Sequence, residues 1–147
     1  MKNVLILLLV SVLFASPAFS QKNVPENVKK EFAKKYPTAQ AVKWGSEEAN
    51  EWEAEFTVNG TEMSASYDNK GAWLESETEI SSKDLPAAVT ATLTKDFAGY
   101  KTGEMSIIED PKTKGFEVAL KKDDSSLEVV IDNSGKVIKK TELKKKK

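Results

Sequence analysis

Residues 51–71 have the sequence EWEAEFTVNGTEMSASYDNKG, and this stretch decides the fold. Apolar residues at alternate positions from Trp52 to Val58 predict a strand with one buried face and one solvent-facing face. Asn59-Gly60 is a strong signal for a two-residue hairpin turn, and the alternation resumes after it. Asp68-Asn69-Lys70-Gly71 then predicts a turn whose glycine has a positive φ. The stretch therefore encodes two antiparallel strands followed by a second turn.

An amphipathic helix is predicted before these strands. Its single apolar stripe consists of residues spaced four apart, namely Val24, Val28, Phe32 and Tyr36. Pro25 suits the first helical turn, where a missing N–H costs nothing, and Pro37 ends the helix. A short strand around residues 42–44 and a last strand over residues 73–80 complete one α-β4 unit, in which hairpins link the strands.

The same unit occurs a second time. Leu85-Pro86-Ala87-Ala88-Val89 aligns with the start of the first helix, and Asp132-Asn133-Ser134-Gly135 aligns with the turn at residues 68–71. We therefore predict an α+β fold of two tandem α-β4 repeats, over about residues 24–80 and 85–143. Together they form one antiparallel sheet of about eight strands with both helices on one face. Residues 21–143 are expected to be a single domain.

Residues 1–20 have the features of a secretory signal peptide. Lys2 supplies the positive charge, and the apolar run over residues 4–14 is too short to span a bilayer. Ala18-Phe19-Ser20 places small residues at the cleavage site, so that the mature chain begins at Gln21. We expect a periplasmic or secreted protein whose mature chain does not insert into a membrane. Residues 144–147 form a basic tail, expected to be solvated.

Three residue types are missing from the sequence: cysteine, histidine and arginine. Their absence excludes thiol nucleophiles, Ser–His relays and the usual zinc sites. From residue 21 onward the chain has 21 lysines against 23 acidic residues, which is the wrong sign of charge for a general nucleic-acid binder. The sequence therefore indicates a protein that is not an enzyme, needs no cofactor and does not bind nucleic acid.

The two units, each opening with x-Pro-x-x-Val and closing on Asp-Asn-x-Gly, resemble those of the PepSY-like, beta-lactamase-inhibitor-like proteins. The resemblance covers residues 24–143. It implies a periplasmic protein with a curved sheet whose open face can bind another protein. Inhibitors of that fold usually contain disulfides and inhibitory loops, which have no counterpart here. The resemblance therefore does not imply a beta-lactamase as the target.

The sheet face away from the helices is predicted to be acidic in the first unit. Residues 21–81 have a net charge of −5, whereas residues 82–147 have a net charge of +3. If the alternation continues through the fourth strand, Trp73 shares this open face with the glutamates. We predict a water-facing surface for a protein partner, composed of Glu53, Glu55, Trp73, Glu75 and Glu77. In the second unit the open face is predicted to carry Glu117, Ala119, Lys121, Glu128, Val130, Val137, Lys139 and Thr141.

Three other interpretations compete with partner binding. In the first, the glutamates only keep a solvent-exposed sheet face soluble, and Trp73 packs against neighbouring side chains. They can bind Ca²⁺ weakly in a Ca²⁺-responsive structural protein, although the Asp-Asn-x-Gly turns lack the ligand spacing of an EF-hand. A carboxylate-dependent hydrolase would need a cleft and a desolvated carboxyl, and the sequence pattern indicates neither.

Export predicts a defined N-terminus. Mass spectrometry of the protein recovered from the periplasm should give the mass of a chain that begins at Gln21, because the Ala-Phe-Ser site directs cleavage after Ser20. Recovery of a chain that retains residues 1–20 would contradict this prediction.

Overall fold

The computed structural model describes residues 23–46 and 50–143. The predicted signal peptide, its cleavage site, Glu47 and Glu48, and the basic tail at residues 144–147 lie outside the described residues. Each repeat consists of one helix and four strands, and a short 3₁₀ turn at Ser82–Asp84 links the repeats. In chain order the elements are α1 (Glu26–Lys35), β1 (Gln40–Gly45), β2 (Glu51–Val58), β3 (Thr61–Asp68), β4 (Trp73–Glu79), α2 (Ala87–Asp96), β5 (Lys101–Glu109), β6 (Lys114–Lys122), β7 (Ser125–Ile131) and β8 (Val137–Leu143).

The eight strands form one antiparallel sheet whose spatial order is the chain order, β1 to β8. The two repeats join where β4 pairs with β5, over four residue pairs from Ser76–Glu109 to Glu79–Ser106. Thr78 on β4 lies opposite Ile107 on β5, and both belong to the face on which the helices pack. The predicted α+β fold of two α-β4 repeats is confirmed.

Each helix covers the four strands that follow it. In the first repeat the Phe32 ring of α1 lies 4.9 Å from the Phe56 ring and 5.2 Å from the Trp44 ring, both at edge-to-face angles. In the second repeat Val89 of α2 is fully buried in a second apolar cluster, which includes Val118 of β6. Burying side chains of this size is the main stabilising contribution to such a fold.

The Asp-Asn-x-Gly turns of the two repeats have the same internal hydrogen bonds. In the first, Oδ1 of Asp68 accepts the backbone N–H groups of Lys70 and Ala72, each at 2.8 Å. In the second, Oδ1 of Asp132 accepts those of Ser134 and Lys136, at 2.9 and 3.0 Å. The aspartate therefore closes each turn through its own side chain.

The glycine of each turn packs against the first turn of a helix. A Cβ on Gly135 would lie 2.7 Å from the carbonyl oxygen of Ala88 in α2, and one on Gly71 would lie 3.1 Å from that of Asn27 in α1. Both glycines have the positive φ that the sequence predicts, 86° and 82°. Thr92 adds a hydrogen bond of 2.6 Å from its hydroxyl to the carbonyl of Gly135. Helix and turn are thus held in direct backbone contact.

A β-bulge next to each turn changes the alternation of side chains. Ser66 lies opposite Glu75, but Tyr67 lies opposite Trp73, so β4 has one extra residue at Leu74. Trp73 therefore packs against the α1 core and not on the open face. The prediction that placed Trp73 on the open face is wrong, because it assumed uninterrupted alternation through the strand.

The second repeat has the same bulge. Val130 lies opposite Lys139, whereas Ile131 lies opposite Val137, which packs against the α2 core. The predicted position of Val137 on the open face is wrong for the same reason. Beyond each bulge the predicted alternation is correct, so the glutamates of β4 after Trp73 do share the open face.

The contact between glycine and helix predicts unequal costs for two similar substitutions. Gly60→Ala should lower the free energy of unfolding by about 1 kcal/mol, since Gly60 has a φ of 82° but no atom within 4 Å of an added Cβ. Gly135→Ala adds a backbone clash to the same φ penalty and should cost about 3 kcal/mol. Urea denaturation of both variants measures the difference. An equal decrease in the free energy of unfolding for both would show that the turn does not pack tightly against the helix.

Candidate functional site

The sheet face opposite the helices forms a groove with a volume of about 450 Å³. Its lining comes from strands of both repeats, so the groove crosses the seam between β4 and β5. The charged residues that line this acidic groove are one lysine, Lys43, and eight glutamates: Glu53, Glu55, Glu62, Glu77, Glu79, Glu104, Glu117 and Glu128. This density of like charge in one concavity is the main electrostatic feature of the described structure.

Apart from the half-buried Glu55, the glutamates of the acidic groove occupy two levels. Four have side chains that are only 5–8% exposed, and we call these the floor carboxyls: Glu53, Glu77, Glu117 and Glu128. Glu62, Glu79 and Glu104 are exposed at the rim. Carboxylates are almost never this buried without a charged or hydrogen-bonding partner, since the ionised form loses its hydration.

Small side chains separate the glutamates and leave the space of the groove between them. Ser64 on β3 lies opposite both Glu55 on β2 and Glu77 on β4. On β5, Ser106 lies opposite Glu117. Because neighbouring strands are about 4.8 Å apart, these short residues place glutamates two strands apart across an open channel.

Glu117 and Glu128 form a carboxyl pair on adjacent strands. Burial raises the pKa of Glu117, and the nearby charge of Glu77 and a hydrogen bond with Glu128 raise it further. Burial also raises the pKa of Glu128, while the hydrogen bond from Glu117 and the charge of Lys139 oppose that increase. Glu117 is therefore the protonated partner at neutral pH and donates to the Glu128 carboxylate.

Each carboxyl of this pair also has one oxygen without a hydrogen-bond donor among the described residues, and we call these two atoms the unused oxygens. Oε2 of Glu117 and Oε1 of Glu128 are buried and accept no hydrogen bond from the part of the chain that the structure describes. An unsatisfied buried acceptor costs about 1–3 kcal/mol, and more when it is charged. The pair is therefore an energetically unfavourable feature of the folded protein.

Glu75 lies on the same face, next to the pair. Burial, the charge of Glu77 and more distant acids raise its pKa to about 7, and Lys139 lowers it. At the rim, burial and the neighbouring Glu62 raise the pKa of Glu79. Burial, together with repulsion from neighbouring carboxylates, thus raises the pKa values of Glu75, Glu79 and Glu117.

The structure brings together most of the predicted partner surface. Glu53, Glu55 and Glu77 line the acidic groove, and Glu75 lies beside it on β4. Trp73 is separated from them by the sheet, and its ring lies 3.8 Å below the ammonium group of Lys35 on α1. The expectation that these acids face water is wrong for Glu53 and Glu77, which are each 8% exposed.

Glu117 and Glu128 lie on the open face as predicted, but the partner surface predicted from the sequence does not include them. The sequence pattern that could have indicated them is a single glutamate within an otherwise apolar strand, at residues 116–120 and again at residues 127–131. Such strands are buried on both faces. The pattern thus marks a desolvated acid, and the expectation that the chain has neither a cleft nor a desolvated carboxyl is wrong.

The geometry of the pair disfavours glycoside hydrolysis. Carboxyls close enough to share a proton are nearer than the separation of about 5–9.5 Å that glycosidases need around a sugar. Within residues 23–46 and 50–143, no group of three or more acidic, cysteine or histidine residues is placed to hold a metal ion. None of the described helices is long and apolar enough to cross a membrane.

A family model matches most of the chain. The family model described as "Putative beta-lactamase-inhibitor-like, PepSY-like" matches residues 15–63 and 50–139, which together span most of the chain. No curated protein matches this chain. The resemblance inferred from the two repeated motifs is therefore confirmed.

Solved structures from three Bacteroides species share the fold, each with a TM-score of 0.73. A BLIP-like protein from Bacteroides fragilis is 22% identical, and the match covers 82% of this chain and 87% of that one. A DUF2874 family protein from Bacteroides ovatus is 23% identical, with 82% and 88% covered. A protein from Bacteroides eggerthii described as one of the "putative periplasmic proteins" is 19% identical, with 82% and 89% covered.

The raised pKa values predict an unusual dependence of stability on pH. Folded Glu75 and Glu117 bind protons that the unfolded chain releases near pH 4.5. Their contribution to stability is therefore complete below about pH 4.5 and is lost as the pH rises, through about 7 for Glu75 and beyond for Glu117. For each carboxyl that is protonated only when folded, the free energy of unfolding should fall by about 1.4 kcal/mol per pH unit.

Glu117→Gln replaces the protonated carboxyl with a neutral amide of the same shape. It should flatten the pH dependence between pH 5 and 8 and raise the stability at pH 8, as measured by urea denaturation. Glu142→Gln is the matched control, because it makes the same replacement at an exposed position of β8. A slope that Glu117→Gln leaves unchanged would contradict the assignment of the bound proton.

Proposed function

This chain belongs to the PepSY-like, beta-lactamase-inhibitor-like family, and we propose that it is an exported, non-catalytic binding module that holds another protein in its acidic groove. Family membership supports a binding or inhibitor-like role, since a relative of the same fold is described as BLIP-like. A periplasmic location agrees with the sequence of residues 1–20 and with the description of the protein from Bacteroides eggerthii.

The buried glutamates at the floor of the groove are the main support for this proposal. Four buried glutamates lie on the sheet face that neither of the two described helices covers. Their burial lowers the stability of the folded protein, because charged groups lose hydration and repel one another. Features that oppose stability and remain in a fold are typical of functional sites.

The shape and charge of the groove favour a protein segment over a small metabolite. The groove is open along the sheet and crosses the seam between the repeats, so that an extended loop can lie in it. Its excess of carboxylates over lysines attracts cationic surfaces and accelerates their association. A partner therefore presents a basic segment to the open face.

A side chain that fills the groove should block the partner. Ala119 on β6 lines the groove and is half-buried. A photo-crosslinking residue at position 119, introduced in the native host, would capture the bound protein for identification. With that protein purified, Ala119→Trp should weaken binding at least about tenfold, because tryptophan occupies the space of the segment.

Ala91→Trp is the matched control, since Ala91 is exposed on α2 on the other side of the sheet. This variant should bind the partner like the wild type, and a crosslinker at position 91 should not capture it. Unimpaired binding by a correctly folded Ala119→Trp variant would show that the groove is not the binding site.

A further inference from the structure

We propose that the carboxyl pair of Glu117 and Glu128 is the receptor for one arginine side chain supplied by the partner protein. This inference rests on the proposed function, and it assigns the chemistry of the contact at the groove floor. The pair lines the groove, so a side chain that enters from the open face approaches it. Both residues are more than nine-tenths buried.

The unused oxygens of the pair define what kind of group fits. Oε2 of Glu117 and Oε1 of Glu128 are acceptors on adjacent carboxyls and lack a donor among the described residues. A guanidinium group has several N–H donors in one plane and can satisfy two neighbouring acceptors at once. Donors with a positive charge also compensate the repulsion between the floor carboxyls.

Arginine fits this position better than lysine. The guanidinium group is more weakly hydrated than an ammonium group and is therefore easier to transfer into a buried site. The long aliphatic stem lets the charge reach the floor from the backbone of a segment at the rim. This chain contains no arginine of its own, so the group must come from another molecule.

Binding of the arginine is expected to release protons. The pair shares a proton when the groove is empty, and a guanidinium group favours two ionised carboxylates. Affinity should therefore rise as the pH rises from 5.5 to 8. The charged groups that face the pair from the surrounding strands also titrate or contribute to this effect: Glu75 and Glu77 of β4, Glu104 of β5 and Lys139 of β8.

A small probe tests the assignment without the partner. N-acetyl-arginine amide is titrated into the isotopically labelled protein at constant ionic strength, and the NMR shifts of the groove strands are followed. N-acetyl-citrulline amide has nearly the same shape but no charge. The arginine probe should shift the signals of residues 106, 117, 119 and 128 with a dissociation constant of about 1 mM, and the citrulline probe should not.

Two glutamine variants and one control complete the experiment. Glu128→Gln and Glu117→Gln should each weaken binding of the arginine probe about tenfold, since a charge-assisted hydrogen bond is lost. Glu142→Gln should bind like the wild type. Equal shifts with the citrulline probe, or unchanged affinity in both variants when their spectra show a folded protein, would overturn the proposal. Displacement of the arginine probe by a lower concentration of CaCl₂ would assign the floor to a divalent cation and would also overturn it.

The failure of this inference can be distinguished from the failure of the proposed function. If the arginine probe does not bind but Ala119→Trp still blocks the captured partner, the groove is a binding site and the arginine assignment is wrong. If the probe binds and Ala119→Trp leaves the partner unaffected, the floor accepts a cation but the groove is not the docking site.

Discussion

The contact between a glycine turn and the helix above it is the constraint on which the rest of the structure depends. Gly71 and Gly135 allow the turn backbone to touch the first turn of α1 and α2, where an added Cβ would be crowded at Gly71 and would clash at Gly135. A bulge with one extra residue lies in the strand that follows each of these turns. The bulge in turn decides which side chains face the helix and which face the groove.

The two faces of the sheet have opposite energetic roles. The helix face contains the aromatic and branched side chains whose burial stabilises the fold. The open face buries four carboxyls, which opposes folding at neutral pH. Because the core of each repeat is complete without the open face, the protein can tolerate this unfavourable cluster.

Most of the fold could be predicted from the sequence, whereas much of the site could not. Alternation and turn chemistry are local signals, and they correctly indicated the repeats, the strands and the acidic face. The position of Trp73 depends on the extra residue at Leu74, which no local pattern marks. The burial of Glu53 and Glu77 is a tertiary property that the alternation along a single strand does not indicate. Glu117 and Glu128 had a visible signal, since each is a lone acid in an apolar strand.

The duplication has a consequence for how a ligand is oriented. The two repeats follow each other head to tail in the sheet, so that β1 is equivalent to β5 and β4 is equivalent to β8. A shift by four strands, and not a two-fold rotation, therefore relates the two halves of the groove. The side chains at equivalent positions have diverged: Ser64 aligns with Glu128, and Glu75 aligns with Lys139. The two ends of the groove thus differ in charge, and this difference gives the groove a polarity.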